Sequence, residues 1–356
     1  MLIKNGMVFI LKDKGFVKKD ILVEGSKIVE VSDTINGDKY VDAEGKYITP
    51  GLIDGHSHIG ICEEGLGWEG DDLCEYSDPI LPELRALDGV NPMDIAFKEA
   101  LSGGVTVACV GPGSANVISG QFATIKLHGN IIDNMIIKET AAIKCSLGEN
   151  PKEAFGKSDK LPMTRMGIAM LLRETLINTI NYKRKKDKAI RENDDTFEID
   201  IRMESMLPVI NREIPLKVHC HRADDISTAI RIAKEFNIKI TLDHCTEGYL
   251  IVDYLKKFEY PVFVGPSFGS KSKIELKNKS FINAKVLNDA GLKISIITDH
   301  NVLPQQSLIM CAALAFKEGL SEFDAMKAIT INPAEMLCID DIKGEIKEGK
   351  DGDLVI

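Results

Sequence analysis

Short stretches of alternating apolar and polar residues open the chain: Leu2-Ile3-Lys4, Met7-Val8-Phe9-Ile10, Asp20-Ile21-Leu22-Val23-Glu24 and Lys27-Ile28-Val29-Glu30-Val31. Asn5-Gly6, Glu24-Gly25 and Asn36-Gly37 separate them, which is the turn chemistry of a small antiparallel β-unit. A similar fragment returns at the far end, in Gly344-Glu345-Ile346 and Asp353-Leu354-Val355-Ile356. Both ends are therefore expected to share one β-sandwich, built from residues 1–49 and 341–356. The last run has no closing turn, as in a sequence cut short there.

The intervening residues, 50–340, carry a different pattern. Short continuous apolar runs alternate with helical periodicity. The runs are Leu52-Ile53, Val105-Thr106-Val107-Ala108-Cys109-Val110, Ala141-Ala142-Ile143-Lys144, Leu216-Lys217-Val218-His219, Lys239-Ile240-Thr241-Leu242-Asp243-His244, Pro261-Val262-Phe263-Val264 and Leu292-Lys293-Ile294-Ser295-Ile296-Ile297-Thr298-Asp299. Helices are predicted over 92–102, 224–236, 281–290 and 305–316. Buried strands alternating with helices imply parallel strands joined by crossovers, and their number suits a closed α/β barrel of the (β/α)₈ kind. The remaining strand, third in order, belongs between Phe122 and Ile137, where Gly129-Asn130 splits two apolar pieces that could also pair as a hairpin. The charged stretch 181–204 reads as a helix with a solvated face.

Length and composition agree with this architecture. A chain of 356 residues holds a barrel of about 250 residues and one modest appendage. Hydrophobic residues at 44% and charged residues at 28% describe a globular protein with little room for disorder. The net charge of -10 leaves no basic footprint, so nucleic acid and anionic membrane are not expected as partners. No apolar run reaches the roughly 18 residues of a membrane span, and the start lacks the pattern of a signal peptide. A cytoplasmic location is expected, and assembly into a homo-oligomer is compatible with this composition. The eight cysteines are scattered and form no Cys-x-x-Cys pair, which favours reduced thiols; Cys220 and Cys245 sit in apolar runs as packing residues.

Candidate chemistry begins at Pro50-Gly51-Leu52-Ile53-Asp54-Gly55-His56-Ser57-His58. Side chains two apart on a strand share a face, so His56 and His58 can grip one metal ion. Of the seven histidines only His128 falls away from the end of an apolar strand run; His219, His221, His244 and His300 lie at such ends, and Asp299 closes the last run. Barrel enzymes keep their active sites at the carboxyl ends of the strands. Imidazoles and a carboxylate collected there suit zinc or a similar divalent metal, one ion or two.

Other residues could complete such a site. The turn-rich loop Gly111-Pro112-Gly113-Ser114-Ala115-Asn116 and the following Gly120-Gln121 should face substrate, with Gln121 a contact. His221 shares a strand face with His219 and could be a ligand, a substrate contact or an outer hydrogen-bond donor. Arg222 could grip a substrate carboxylate in two-pronged fashion, or pair with Asp225 at a helix start. His300, adjacent to Asp299, should face away from the metal.

Together these motifs resemble the amidohydrolase superfamily, in the branch grouped with imidazolonepropionase and the metal-dependent prolidases. The likeness runs almost end to end and includes Asn332-Pro333-Ala334 and Gly349-Lys350-Asp351-Gly352-Asp353. It implies a (β/α)₈ barrel with a terminal β-sandwich. It also implies His56 and His58 as metal ligands from the first strand, His219 from the fifth, His244 from the sixth, and Asp299 from the eighth as ligand and proton shuttle. Related two-metal enzymes place a lysine carboxylated by CO₂ on the fourth strand, where it bridges both ions. Lys144 stands at that position, and an unmodified ammonium would offer no lone pair. Glu149 competes for the role. The resemblance implies hydrolysis of a C–N bond in a small amide: an N-acyl amino acid, a dipeptide or a cyclic amide. His244 or His221 would steady the oxyanion. Deaminases of the superfamily usually carry a glutamate shortly after the fifth-strand histidine, whereas His219 is followed here by Cys220, His221, Arg222, Ala223 and Asp224. A barrel kept only as an assembly module would have lost its ligands, and this sequence retains them.

Overall fold

Five strands precede the barrel: β1 (Leu2–Ile10), β2 (Gly15–Glu24), β3 (Lys27–Ser32), β4 (Val41–Asp42) and β5 (Tyr47–Pro50). The next eight, β6 (Leu52–Ser57), β7 (Val105–Val110), β8 (Ile118–Lys126), β9 (Ile136–Ser146), β10 (Leu216–Cys220), β11 (Ile240–His244), β12 (Val262–Val264) and β13 (Ile294–Ile296), form one sheet in sequence order. The last strand, β14 (Leu354–Val355), pairs antiparallel with β5, so the two termini meet in a separate six-stranded sheet. This computed structural model describes every residue except Asp159.

The terminal sheet has its own small core of Ile3, Val8, Ile21, Val23, Ile28, Ala43, Ile48 and Ile346. Gly51 joins it to the barrel. A β-carbon there would stand 2.1 Å from Thr106 Oγ1, so the crossing between β5 and β6 leaves no room for a side chain.

Barrel strands run parallel with one exception. β8 is antiparallel to both β7 and β9, so the sequence between Gly111 and Ser146 makes a hairpin instead of a strand–helix–strand crossover. The split at Gly129-Asn130 falls in the hairpin's turn, so the stretch both forms a hairpin and supplies the third strand. The sheet's two end strands, β6 and β13, share no ladder. The seam is bridged near the carboxyl ends instead, where Thr298 donates to the buried Asp54 carboxylate and His58 N donates to His300 O at 2.6 Å.

Strand parity sorts the side chains. On β10, Leu216, Val218 and Cys220 pack into the core shared with the helices, while Lys217 and His219 take the opposite face. On β9, Ile143 and Cys145 join that core and Lys144 takes the other face, directly beside Lys217 in register. The helices cover the outside, among them Ile95–Ser102, Ala223–Phe236, Ile282–Asp289 and Leu308–Lys317. The charged stretch 181–204 is not one helix. A 28-residue helix, Arg165–Glu192, ends at Asn193 in the left-handed conformation, and Ile201–Ile210 restarts behind an Asp200 cap. Its charges are largely used internally, as in the Lys186–Glu204 pair at 2.6 Å. Among the described residues no helix is long and apolar enough to cross a membrane. The eight cysteines are free thiols, with Cys220 and Cys245 fully buried.

Candidate metal centre

Two groups of side chains converge at the carboxyl ends of the parallel strands. His56 and His58 leave β6 and meet Asp299, which follows β13. His219 on β10 and His221 just beyond it meet His244 at the end of β11. Parity alone would turn His244 outward with Leu242. Its φ of 68° swings the ring back toward the centre; Asp299, also left-handed at φ 55°, has the inward parity of Ser295 and Ile297. Left-handed backbone at a non-glycine residue costs on the order of 1–3 kcal/mol, so neighbouring structure holds both residues in place.

Every imidazole is gripped by its Nδ1 side. His56 Nδ1 meets Asp243 Oδ2 at 2.6 Å, His58 Nδ1 meets Gly111 O at 2.6 Å, and His244 Nδ1 meets Gly265 O at 2.7 Å. His219 Nδ1 lies 2.9 Å from Ser114 Oγ and His221 Nδ1 lies 2.7 Å from Thr246 Oγ1. A carbonyl or carboxylate partner assigns the proton to Nδ1 and leaves the Nε2 lone pair free, which is how metal-binding histidines are oriented.

The free atoms face one another at an informative spacing. Asp299 Oδ1 stands 3.3 Å from His58 Nε2 and 3.5 Å from His56 Nε2, longer than a normal hydrogen bond. Ligand atoms about 2.0–2.2 Å from a tetrahedral ion stand roughly 3.3–3.6 Å from each other. His219 Nε2 and His244 Nε2 are buried with no hydrogen-bond partner. Such orphaned acceptors are costly in a core unless a cation meets them. The donor set therefore fits a divalent metal.

Electrostatics point the same way. Burial holds His56 and His219 well below the ordinary imidazole value, helped by Lys144 and Lys217 at His56 and by His244 and Lys273 at His219, so both rings stay neutral and able to coordinate. Burial opposes ionisation of Asp299, but His244, His58 and His56 outweigh it and hold the carboxyl well below its usual range. Lys144 is fully buried with Nζ 3.2 Å from His56 Nε2, and burial pushes its ammonium down to about 8.

Of the residues picked from sequence, the structure gathers His56, His58, Lys144, His219, His221, His244 and Asp299. It does not bring Gln121 or Arg222 to the cleft. On β8 Gln121 pairs with the outward-facing Ile143 and so takes the outer face, where its amide bonds Pro82 O, Ser205 Oγ and Thr140 Oγ1. Arg222 forks onto exposed Asp224, at 2.8 and 3.0 Å, and Asp225 is instead paired with Arg165. Glu149 and Glu275 bond each other's backbone N–H, so Glu149 supports Glu275 and is held away from Lys144. His300 is buried with both ring nitrogens unpartnered, 4.0 Å from Glu64 and outside both groups.

Two carboxylates beside these groups escaped the sequence reading. Asp243, beneath His244 on β11, ties His56 to Lys217, whose Nζ lies 3.2 Å away. Its position inside an apolar run was the available signal. Glu275 sits in the stretch Lys271-Ser272-Lys273-Ile274-Glu275, which reads as an ordinary charged loop, yet the side chain is 1% exposed. A cleft of about 520 Å³ opens over the two groups, bordered by Ser114, Asn150, His219, His221, Lys273 and Asp299 among others.

Comparisons with known proteins converge on one family. The family model described as "Amidohydrolase family" matches residues 212–356. A solved amidohydrolase from Thermotoga maritima MSB8 is 41% identical, covering 99% of this chain and 93% of its own, with a TM-score of 0.96. Amidohydrolase tasK of Hapsidospora irregularis is 28% identical over 95% of this chain, which spans only 37% of that protein. Imidazolonepropionase of Picrophilus torridus is 24% identical over the whole chain and 91% of its own length. The chain belongs to the amidohydrolase family, whose members are hydrolases acting on C–N bonds.

Proposed function

We propose that the protein is a metal-dependent hydrolase of a C–N bond in a small amide: an N-acyl amino acid, a dipeptide or a cyclic amide. One observation carries the reading. Two groups of buried ligand atoms stand at metal-spanning distances, with every imidazole fixed through Nδ1, at the floor of a cleft large enough for a small molecule.

His56, His58 and Asp299 would hold one ion, and His219 with His244 a second. Lys144 would join them as a carbamate, its amine nitrogen bonding CO₂ and releasing a proton, because the bare ammonium has no lone pair to share. A bound divalent ion supplies polarisation of the scissile carbonyl and acidifies water at neutral pH. Asp299 Oδ2 takes the water's proton and delivers it to the leaving nitrogen, a task suited to a carboxylate kept ionised by its neighbours. Ser114 Oγ and Gly111 O keep His219 and His58 in register from the loop after β7.

The relatives include imidazolonepropionase and adenine deaminase of Clostridium perfringens, the latter 25% identical over the whole chain and 55% of its own length. A panel of dipeptides, N-acyl amino acids, cyclic amides and aminopurines, incubated with the metal-reconstituted enzyme, separates the readings. Release of an amine or ring opening supports the amide hydrolase. Ammonia released from an aminopurine alone supports a deaminase instead. A cytoplasmic setting accords with the reduced thiols.

A further inference from the structure

Glu275 is buried beside the imidazoles of the second group. It comes from a 3-10 turn, Ile274–Leu276, in the long loop after β12, and no strand-end pattern foretells it. Its Oε2 accepts the Glu149 backbone N–H at 3.0 Å, which fixes the carboxylate plane. Its Oε1 points at the imidazoles, 3.5 Å from His219 Nε2 and 3.6 Å from His221 Nε2. Those are too long for hydrogen bonds and equal the edge of a tetrahedron around a zinc-sized ion, roughly 3.3–3.6 Å. Both Glu275 Oε1 and His219 Nε2 are buried without a hydrogen-bond partner.

Among the described residues, Lys273 is the lysine or arginine that answers the Glu275 charge at Oε1. Its Nζ lies 2.6 Å away but not along a hydrogen-bonding direction, and the same ammonium bonds Asn150 Oδ1 at 2.8 Å on the cleft side. The lysine side chain is 22% exposed and can withdraw into the cleft.

We propose that Glu275 is the carboxylate ligand of the second ion, completing with His219, His221 and His244 a site that Lys273 neutralises when the ion is absent. This rests on the two-metal reading above. It moves His221 from substrate contact to ligand, and it lets the second ion be held without Lys144. The chemistry is that of a closed three-imidazole, one-carboxylate set, which suits zinc and leaves the more open first site to water and substrate.

The test is metal uptake, read by elemental analysis and by chelator competition on folded protein checked by circular dichroism. Glu275→Gln keeps the shape and the acceptor for Glu149 N–H. Wild type should take up two zinc ions; Glu275→Gln should keep the first and hold the second about 10- to 100-fold more weakly, as should His221→Asn. Lys273→Met, which removes the competing ammonium, should tighten the second ion. Both ions bound with unchanged affinity in Glu275→Gln would overturn the assignment, as would weaker second-ion binding in Lys273→Met. A wild type that binds one ion only also overturns it while sparing the first site. A wild type that binds none removes the metal reading itself. Cobalt substitution adds a readout independent of turnover: the second-site absorption band should shift in Glu275→Gln, and an unchanged spectrum speaks against ligation.

Discussion

Asp243→Asn separates metal positioning from stability. Asp243 is fully buried and serves three groups: His56 Nδ1 at 2.6 Å, Lys217 Nζ at 3.2 Å and Thr241 Oγ1 at 2.9 Å. Asparagine fits the same space but offers His56 one neutral oxygen or an amide donor, so the ring loses the charged partner that fixes its tautomer. Losing such an outer partner typically weakens metal binding about 10- to 100-fold, or roughly 1.4–2.7 kcal/mol. The same change leaves the Lys217 ammonium buried over Phe263 without its counter-ion, a defect of about 3 kcal/mol in stability. Chelator competition reads the first effect and denaturant unfolding the second. Adding Lys217→Met should remove the stranded charge and restore much of the stability while leaving the first ion weakly held. Unchanged first-site affinity in Asp243→Asn, or affinity rescued together with stability in the double variant, would refute the orienting role.

Two further perturbations probe the scaffold. At Gly111, whose carbonyl receives His58 Nδ1, an added β-carbon would stand 2.0 Å from Phe122 Cδ2. Gly111→Ala should therefore cost about 1–3 kcal/mol in unfolding experiments and weaken the first ion; a change within about 0.5 kcal/mol would contradict the packing argument. In the terminal sheet, Lys343 pairs with Asp351 at 2.8 Å and with Asp353, next to β14. Burial works against its charge, but bonds to those two carboxylates prevail and hold the ammonium above its ordinary 10.5. Its stabilising contribution is complete below 10.5 and fades as pH rises through the higher folded value. Lys343→Met should lower stability at pH 8 by on the order of 1 kcal/mol and shrink the further loss seen at alkaline pH. Melts that match wild type at both pH values would remove the pair from the account.

The strand ends were legible in the sequence because a barrel writes its active site there. Apolar runs that end in His56, His58, His219, His244 and Asp299 announce both the strands and their cargo. Parity was a weaker guide. It grouped His219 with His221 and Asp299 with Ile297, but for His244 the left-handed backbone overrode alternation, and sequence shows no such twist at a non-glycine residue. Direction was weaker still. β8 pairs antiparallel, and its register sets Gln121 opposite the outward-facing Ile143; a hairpin and a crossover differ only in what Gly129-Asn130 does with the chain. Arg222 went to its near neighbour Asp224 because a two-residue ion pair needs no tertiary contact. Glu275 was invisible, since a carboxylate delivered by a loop carries no periodic signature and its burial is made by residues far away in sequence.

The most direct test of the whole account is the metal content of the purified wild-type protein after reconstitution with zinc and removal of the excess. The opposed groups of His56, His58 and Asp299, and of His219, His221 and His244, predict two tightly bound ions per chain. Less than one equivalent, with none taken up on reconstitution, would contradict it.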